Sequence, residues 1–181
     1  MSEFPPKRSG SARPLLVALG LYLVAAAWGV FLQWGPRVGD EAWTWLMARD
    51  PIRAFADVHP LLPSVFLHPA SRIPEWGPQA VGLVTALLAA LAVPLAALAY
   101  GPRAGLLVLL SPGLALAMGF SRTLSLVLPL LFLLLYALRR GRDTLAALSA
   151  TLLFLTHFQG QVVATVAFFL MGRKARGEFL I

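Results

Sequence analysis

Residues 14–32 read PLLVALGLYLVAAAWGVFL, a run of 19 residues without a single charged side chain. At 1.5 Å of rise per residue, about 20 apolar residues cross the roughly 30 Å hydrocarbon core of a bilayer as a helix. Lys7, Arg8 and Arg13 precede the run, and no small-residue cleavage site follows it. The run therefore predicts a retained membrane anchor rather than a removed signal peptide.

The composition of the whole chain also indicates an integral membrane protein. Of its 181 residues, 59% are hydrophobic and 13% are charged, with a mean hydropathy of +0.77. Soluble domains are about half apolar and about a quarter charged, so a disordered chain is excluded and a soluble enzyme is disfavoured. The chain has no Cys, which excludes a disulfide framework, a thiolate nucleophile and a Cys-based zinc site. In a membrane protein, a net charge of +7 is informative through the loops that carry the Lys and Arg residues. Nucleic acid is therefore not an expected partner.

Four further apolar stretches follow, at 80–100, 104–119, 123–138 and 144–171. The last has 28 residues and carries the polar run Thr156-His157-Phe158-Gln159-Gly160-Gln161 at its centre. It is either one long span or two short helices that meet at this polar centre. None of the predicted spans contains Asp or Glu, which disfavours a coupled transporter or a channel.

The distribution of basic residues favours two short helices over one long span. With the N-terminus inside, two helices leave the cationic tail inside as well, whereas one span would put it outside. Ten of the 15 basic residues then lie inside, which satisfies the positive-inside rule. These ten residues are Lys7, Arg8, Arg13, Arg103, Arg139, Arg140, Arg142, Arg173, Lys174 and Arg176. The prediction is an all-α polytopic transmembrane bundle of about six spans in the plasma (inner) membrane, with both termini cytoplasmic.

This topology divides the chain into five segments. They are a cytoplasmic basic N-terminus (1–13), the first span (14–33), an outer loop (34–79), the remaining transmembrane helices (80–171) and a cytoplasmic basic tail (172–181). The outer loop is longer than a connection needs, which is typical of a functional loop.

Two juxtamembrane helices are predicted in the outer loop. The first covers residues 39–49, with Trp43, Leu46 and Met47 on one face, as suits a helix lying among lipid headgroups. Asp50-Pro51 has the pattern of an N-cap followed by a first-turn proline, and it predicts the start of the second. An apolar stretch then leads to His68, for which we expect a structural role.

Four short motifs occur in a recognisable order along the chain. They are Asp40-Glu41, His59-Pro60-Leu61, Ser121-Arg122 and, more loosely, Thr156-His157. In this order, and on the side that the topology puts outside, the set resembles the polyprenyl-phosphate-sugar-dependent membrane glycosyltransferases of the GT-C fold. The nearest branch is similar to the protein-mannosyltransferase and aminoarabinose-transferase kind. The resemblance runs from about residue 14 to residue 171.

The sequence departs from this family in two respects. Leu61 stands where the family's His-Pro-Pro element has its second proline. Family members are also several hundred residues long, so the resemblance leads us to expect the N-terminal membrane part of a transferase, or a chain whose protein partner supplies further helices.

The resemblance assigns catalysis to the acidic pair in the outer loop. Asp40 would take the proton from the acceptor as the acceptor attacks the sugar carbon. Glu41 would assist or help to hold a divalent cation, Mg²⁺ or Mn²⁺, on the donor phosphate. The structural alternatives are an N-cap at Asp40 and a favourable first-turn acid at Glu41. No other cofactor is expected, and in particular no nucleotide.

Three further residues are candidates for binding the carrier lipid or substrate. Arg122, at the outer ends of two spans, is expected to bind the lipid phosphate through its guanidinium, with snorkelling to the interface as the alternative. His59 would bind the leaving phosphate or fix the loop. His157 would contact substrate, or else form part of a turn between two short helices. A metal site built from His59, His68 and Asp57 is disfavoured, because nothing in the spacing of these residues is diagnostic of one.

Two functions from different classes follow from these residues. The leading one is transfer of a sugar from a polyprenyl-phosphate carrier to an acceptor, whether protein, lipid or glycan, on the extracytoplasmic face. The alternative is a non-catalytic membrane assembly or carrier-lipid-binding subunit. Both functions have the lipid bilayer and a lipid-linked sugar as partners.

Overall fold

The fold is seen in a computed structural model, which describes residues 12–32, 46–52, 61–119, 122–156 and 158–171. All regular secondary structure in these ranges is α-helical, so the all-α prediction is confirmed there. Nine helices have both of their bounds within the described residues. They are α1 (Arg13–Leu32), α2 (Leu61–Ser71), α3 (Gly77–Ala90), α4 (Ala92–Tyr100), α5 (Pro102–Leu109), α6 (Pro112–Gly119), α7 (Arg122–Arg139), α8 (Asp143–Phe154) and α9 (Phe158–Leu170). Residues 46–49 and 51–52 are also helical.

In the described part of the chain, two helical stretches are long and apolar enough to span a membrane. One is α1, with 20 residues, and the other is the 24-residue stretch Gly77–Tyr100, in which α3 and α4 follow each other through a turn at Leu91. Only 22% of the 18-residue apolar stretch of α1 is buried. Large side chains such as Leu15 and Phe31 are exposed along this helix. An exposed apolar surface of this kind is typical of contact with lipid or another protein, and it supports association with a membrane.

The other apolar helices are shorter than these two. Helix α7 has 18 residues and a length of about 27 Å, and α8 and α9 have 12 and 13 residues. The prediction that residues 144–171 form two helices rather than one span is confirmed. The predicted span at 104–119 is instead broken into α5 and α6. Since only two stretches qualify as spans among the described residues, the six-span arrangement stays a prediction.

Helix α7 lies at the centre of the bundle and packs against α3, α4, α6 and α8. Helix α1 packs against α3 and α4 on one side and against α5 and α6 on the other. Close packing requires small side chains: Gly29 of α1 lies against Ala86 and Met118, where an added Cβ would come within 3.0 Å and 3.3 Å of their side chains. Gly105 of α5 is equally tight against α1 and α4, with Leu21 only 2.9 Å from an added Cβ.

The break between α5 and α6 is stabilised by Ser111. Its hydroxyl donates to the carbonyl of Val108 at 2.8 Å and accepts from the backbone N–H of Leu114 at 3.2 Å. Ser111 is therefore the N-cap of α6, and Pro112, which has no N–H to donate, occupies the first helical position. Side-chain bonds of this kind satisfy the backbone groups that a broken helix exposes inside a membrane.

Helices α8 and α9 form a tight hairpin. They pack against each other, and the buried Thr156 closes the turn by donating its hydroxyl to the carbonyl of Leu153 at 2.6 Å. The backbone of Gly160 lies so close to that carbonyl that any Cβ there would overlap it. Glycine is thus required where the second helix leaves the turn.

The helix directions give the bundle two distinct ends. One end has the start of α1 and the turns between α4 and α5 and between α7 and α8, and we name it the basic end. The opposite end has the α2–α3 turn and the start of α7, and we name it the loop end. The described charged residues at the basic end are Arg13, Arg103, Arg139, Arg140, Arg142 and Asp143, and those at the loop end are Arg49, Asp50, Arg72, Glu75 and Arg122.

Candidate functional site

The candidate site is an open cavity at the loop end that is lined in part by charged residues, and the elements around it are held together by His68. This side chain of α2 donates its Nδ1–H to the carbonyl of Ala48 at 2.7 Å, across 20 positions of sequence. Ala48 is fully buried in a small core with Leu67, Ala70 and Val81. The helical turn at 46–49 is therefore fixed on α2 and α3, and His68 has the structural role that the sequence predicts.

Arg72 makes a second link to the same turn. Its Nη2 donates to the carbonyl of Arg49 at 3.2 Å, across 23 positions. Together with the bond from His68, this link places Arg49 and Arg72 beside one opening. The opening has a volume of about 430 Å³. It is lined by Arg49, Ser71, Arg72, Ile73, Pro74, Glu75, Gly77 and Pro78. Such a volume falls within the range of small-molecule sites in proteins.

Glu75 contributes the one carboxylate of the cavity lining. It has a φ of 61°, in the left-handed region that side chains with a Cβ rarely adopt. The N–H of Trp76 donates to the carbonyl of Pro74 at 2.7 Å, so Glu75 is the centre of a three-residue turn. This conformation costs about 1–2 kcal/mol relative to the right-handed one. It turns the chain sharply into α3 at the rim of the cavity.

The charge of the cavity favours an anionic ligand. Two arginines and one glutamate line it, and the first turn of α3 adds the positive end of a helix dipole. A guanidinium has five N–H donors in a planar fork that matches the oxygens of phosphate, and the bond from Arg72 to Arg49 occupies only one of its nitrogens. The chemistry of this lining therefore suits an anionic group such as phosphate.

Most of the predicted site residues lie outside the described part of the chain. These are Asp40, Glu41, His59 and His157. For Arg122 the structure describes the backbone, which begins α7 at the loop end, but not the side chain. Of the predicted second juxtamembrane helix, the described part is the helical pair 51–52 at its start.

Neither the predicted binding residues nor the predicted catalytic pair included the arginines of the cavity. In the sequence, Arg49 and Arg72 are simply two of the basic residues on the outer side. Arg49 follows residues 46–48 and Arg72 follows residues 69–71, which are both short runs of mostly small or apolar residues. This shared pattern is the signal that the sequence offers for the two arginines. Nothing in the pattern indicates that the two runs pack together, because the contact depends on the fold of the loop.

The described residues contain no group of three or more His, Asp or Glu side chains arranged to hold a metal ion. The acidic pair for which a divalent cation was considered, Asp40-Glu41, is not among them.

Comparison of the chain with protein-family models, with curated proteins and with solved structures found no match. The glycosyltransferase interpretation therefore depends on the ordered motifs of the sequence and on the chemistry of the cavity.

Proposed function

We propose that this chain is a multi-pass membrane glycosyltransferase of the GT-C type, or the N-terminal part of one. It would transfer a sugar from a polyprenyl-phosphate carrier to an acceptor on the extracytoplasmic face of the plasma membrane. The observation that carries the proposal is the cavity with Arg49 and Arg72 at the loop end. The start of α7 at Arg122 lies at the same end. In the sequence, Asp40 precedes Arg49, and His59 lies between Arg49 and Arg72.

In the proposed reaction an acceptor hydroxyl attacks the anomeric carbon of the sugar. Asp40 takes the hydroxyl proton as the new carbon–oxygen bond forms. The bond between the sugar and the carrier phosphate breaks on the opposite face, so the configuration inverts and the polyprenyl phosphate leaves with the bonding electrons. Guanidinium groups at the loop end, with His59, stabilise the negative charge that develops on this leaving group.

The orientation proposed for the membrane follows from the charges at the two ends. Among the described residues, the basic end has five arginines and one acid, whereas the loop end has three arginines and two acids. The more cationic end of a membrane protein usually faces the cytoplasm. The proposal therefore places the basic end inside and the cavity outside, where lipid-linked sugars are used.

Replacement of the proposed base tests the catalytic proposal directly. In membranes that contain the complete, active protein, Asp40→Asn should reduce sugar transfer from undecaprenyl-phosphate-linked sugars by at least a hundredfold, since general bases contribute 10²–10⁴-fold. Binding of undecaprenyl phosphate should stay within twofold of the wild-type value. Asp143→Asn, the same change at the basic end, is the matched control and should retain full transfer. Near-normal transfer by Asp40→Asn would remove the proposed mechanism.

A second function is supported by the same cavity, because binding an anionic carrier needs only the arginines. In this alternative the chain is a non-catalytic subunit that binds the carrier lipid and works with a protein partner. Undecaprenyl phosphate would then bind to the wild-type protein and bind less tightly to Arg72→Ala. Transfer would be absent with every acceptor class and with Mg²⁺ or Mn²⁺ present. That combination of results would favour the subunit over the enzyme.

A further inference from the structure

The turn between α7 and α8 gathers three arginines around two tyrosines at the basic end. The guanidinium of Arg139 lies 5.1 Å from the centre of the Tyr100 ring. Those of Arg140 and Arg142 lie 5.5 Å and 5.9 Å from the centre of the Tyr136 ring. Cation–π contacts at these distances are attractive, so the rings hold the long side chains in place.

The backbone of this turn explains why Arg142 points back toward α7. Gly141 has a φ of 61°, the N–H of Arg142 donates to the carbonyl of Ala137 at 2.9 Å, and that of Gly141 donates to Leu138 at 3.2 Å. This pair of bonds is the Schellman motif, which ends a helix with a left-handed residue. It reverses the chain so that α8 begins at once, beside the arginines.

An open cavity of about 630 Å³ lies at the start of α8. Its lining residues are Gly141, Arg142, Asp143, Thr144, Leu145 and Leu148. Arg142 is the N-cap of α8, Asp143 and Thr144 begin the helix, Leu145 follows in the first turn and Leu148 lies about one turn after Thr144. Leu148 is 54% exposed. The lining thus combines charged and polar residues around the start of α8 with two leucines, which we name the leucine floor.

We infer that this cavity binds a phospholipid with an anionic headgroup. The phosphate is held by Arg142 and by the hydroxyl of Thr144, and an acyl chain follows Leu145 and Leu148. A guanidinium binds phosphate through paired, charge-assisted hydrogen bonds. The first turn of α8 is also the positive end of a helix, and no side chain caps it.

The surrounding charges favour an anionic lipid over a zwitterionic one. Asp143 is the acid of the cavity lining, and it opposes an anion, but three arginines of the same turn outnumber it. A zwitterionic lipid would bring its own cation next to these arginines, whereas phosphatidylglycerol brings none. The leucine floor favours a lipid over a free phosphate, because a soluble phosphate would leave it uncovered.

This inference requires the membrane placement of the proposed function but not the transfer reaction. The lipid site and the loop-end cavity lie at opposite ends of the bundle, so each can fail without the other.

Native mass spectrometry of the full chain in detergent, titrated with phosphatidylglycerol or phosphatidylcholine, tests the inference. We expect phosphatidylglycerol to bind at least tenfold more tightly than phosphatidylcholine. Arg142→Ala should weaken phosphatidylglycerol about tenfold, as expected for the loss of a hydrogen bond to a charged group. Glycerol 3-phosphate, which has a phosphate but no acyl chains, should not displace the lipid at equal concentration.

Arg103→Ala is the matched control, because Arg103 is an exposed arginine at the same end but does not line the cavity. It should change the affinity less than twofold. An equal loss in both variants would show attraction by overall charge and would overturn the site. So would equal binding of the two lipids, or displacement by glycerol 3-phosphate. If Arg142→Ala does not fold, as judged by circular dichroism, Leu148→Asn serves instead and should weaken the lipid without removing a charge.

Discussion

The structure leaves no room for a side chain at Gly160. An added Cβ would overlap the carbonyl of Leu153 and come within 2.5 Å of the hydroxyl of Thr156. The α8–α9 hairpin can accept a side chain there only by opening, so Gly160→Ala should destabilise the fold by about 1–3 kcal/mol, as overpacked cores do. Thermal unfolding in detergent measures the effect as a lower midpoint.

The control for this change is Gly20→Ala in α1. An added Cβ at Gly20 meets nothing within 4 Å, and alanine favours a helix over glycine by up to about 1 kcal/mol. Its unfolding midpoint should stay constant or rise. Equal midpoints for the two variants would contradict the close approach at the hairpin turn.

Arg72 is the residue on which the loop-end cavity can be tested most directly. One of its nitrogens donates to the Arg49 carbonyl, and Arg72 is also part of the lining of the opening. Arg72→Ala should therefore weaken binding of undecaprenyl phosphate about tenfold, with a smaller loss for Arg72→Lys, which keeps the charge but not the planar fork. Binding is followed by quenching of intrinsic Trp fluorescence.

Arg103→Ala removes the same charge at the basic end and should leave this affinity unchanged. A loss in Arg103→Ala as large as that in Arg72→Ala would argue against a phosphate site at the loop end.

At the level of elements, the breaks between helices were harder to predict than the helices. The polar run around Gln159 and the distribution of cations together predicted two helices at the C-terminal end, and both are present. The stretch at 104–119 gave no polar break and was predicted as one span. The available signal was Ser111-Pro112, an N-cap residue followed by a first-turn proline. Uniform hydrophobicity concealed it, because apolar periodicity cannot separate one membrane helix from two short buried ones.

The role of Ser111 in this break is testable. Ser111→Ala removes the acceptor for the Leu114 N–H and the donor to the Val108 carbonyl, so it should destabilise the protein by about 1–2 kcal/mol, as the loss of an N-cap does. Chemical unfolding in mixed micelles measures the change.

Thr165→Val is the control for Ser111→Ala. The hydroxyl of Thr165 donates only to the carbonyl of Gln161 within its own helix, an exposed back-bond of little energetic consequence. This variant should unfold within about 0.5 kcal/mol of the wild type. If Ser111→Ala costs no more than Thr165→Val, the serine does not stabilise the break.

The candidate site was predicted less completely than the fold, for a physical reason. Hydrophobic runs and glycine or proline breaks are local signals, and they locate helices. The contact of His68 with Ala48 joins residues 20 positions apart in a loop, and no periodicity marks it. The sequence could therefore indicate that the outer loop matters and that His68 is structural. It could not indicate that Arg49 and Arg72 would meet at one cavity.

For the whole molecule, the decisive prediction concerns orientation. The chain has no cysteine, so single cysteines can be introduced without a background signal. Ile73→Cys at the loop end and Arg103→Cys at the basic end both replace exposed residues. Because the basic end has the excess of arginines, it should face the cytoplasm. A membrane-impermeant maleimide should then label Ile73→Cys in intact cells and Arg103→Cys only after the membrane is opened.

Further single-cysteine variants test the number of crossings. The basic end holds the start of α1 and the turns after α4 and α7, and the loop end holds the turns before α3 and α7. Asp143→Cys should therefore be labelled from the same side as Arg103→Cys, and Glu75→Cys from the same side as Ile73→Cys. In the alternative arrangement, α1 and the Gly77–Tyr100 stretch are the sole crossings and the later helices lie on one surface of the membrane. Both Asp143→Cys and a cysteine at Leu155, in the α8–α9 turn, would then be labelled from the same side as Arg103→Cys. Labelling of Leu155→Cys from the outer side would exclude that surface arrangement and support helices that cross the membrane after α4.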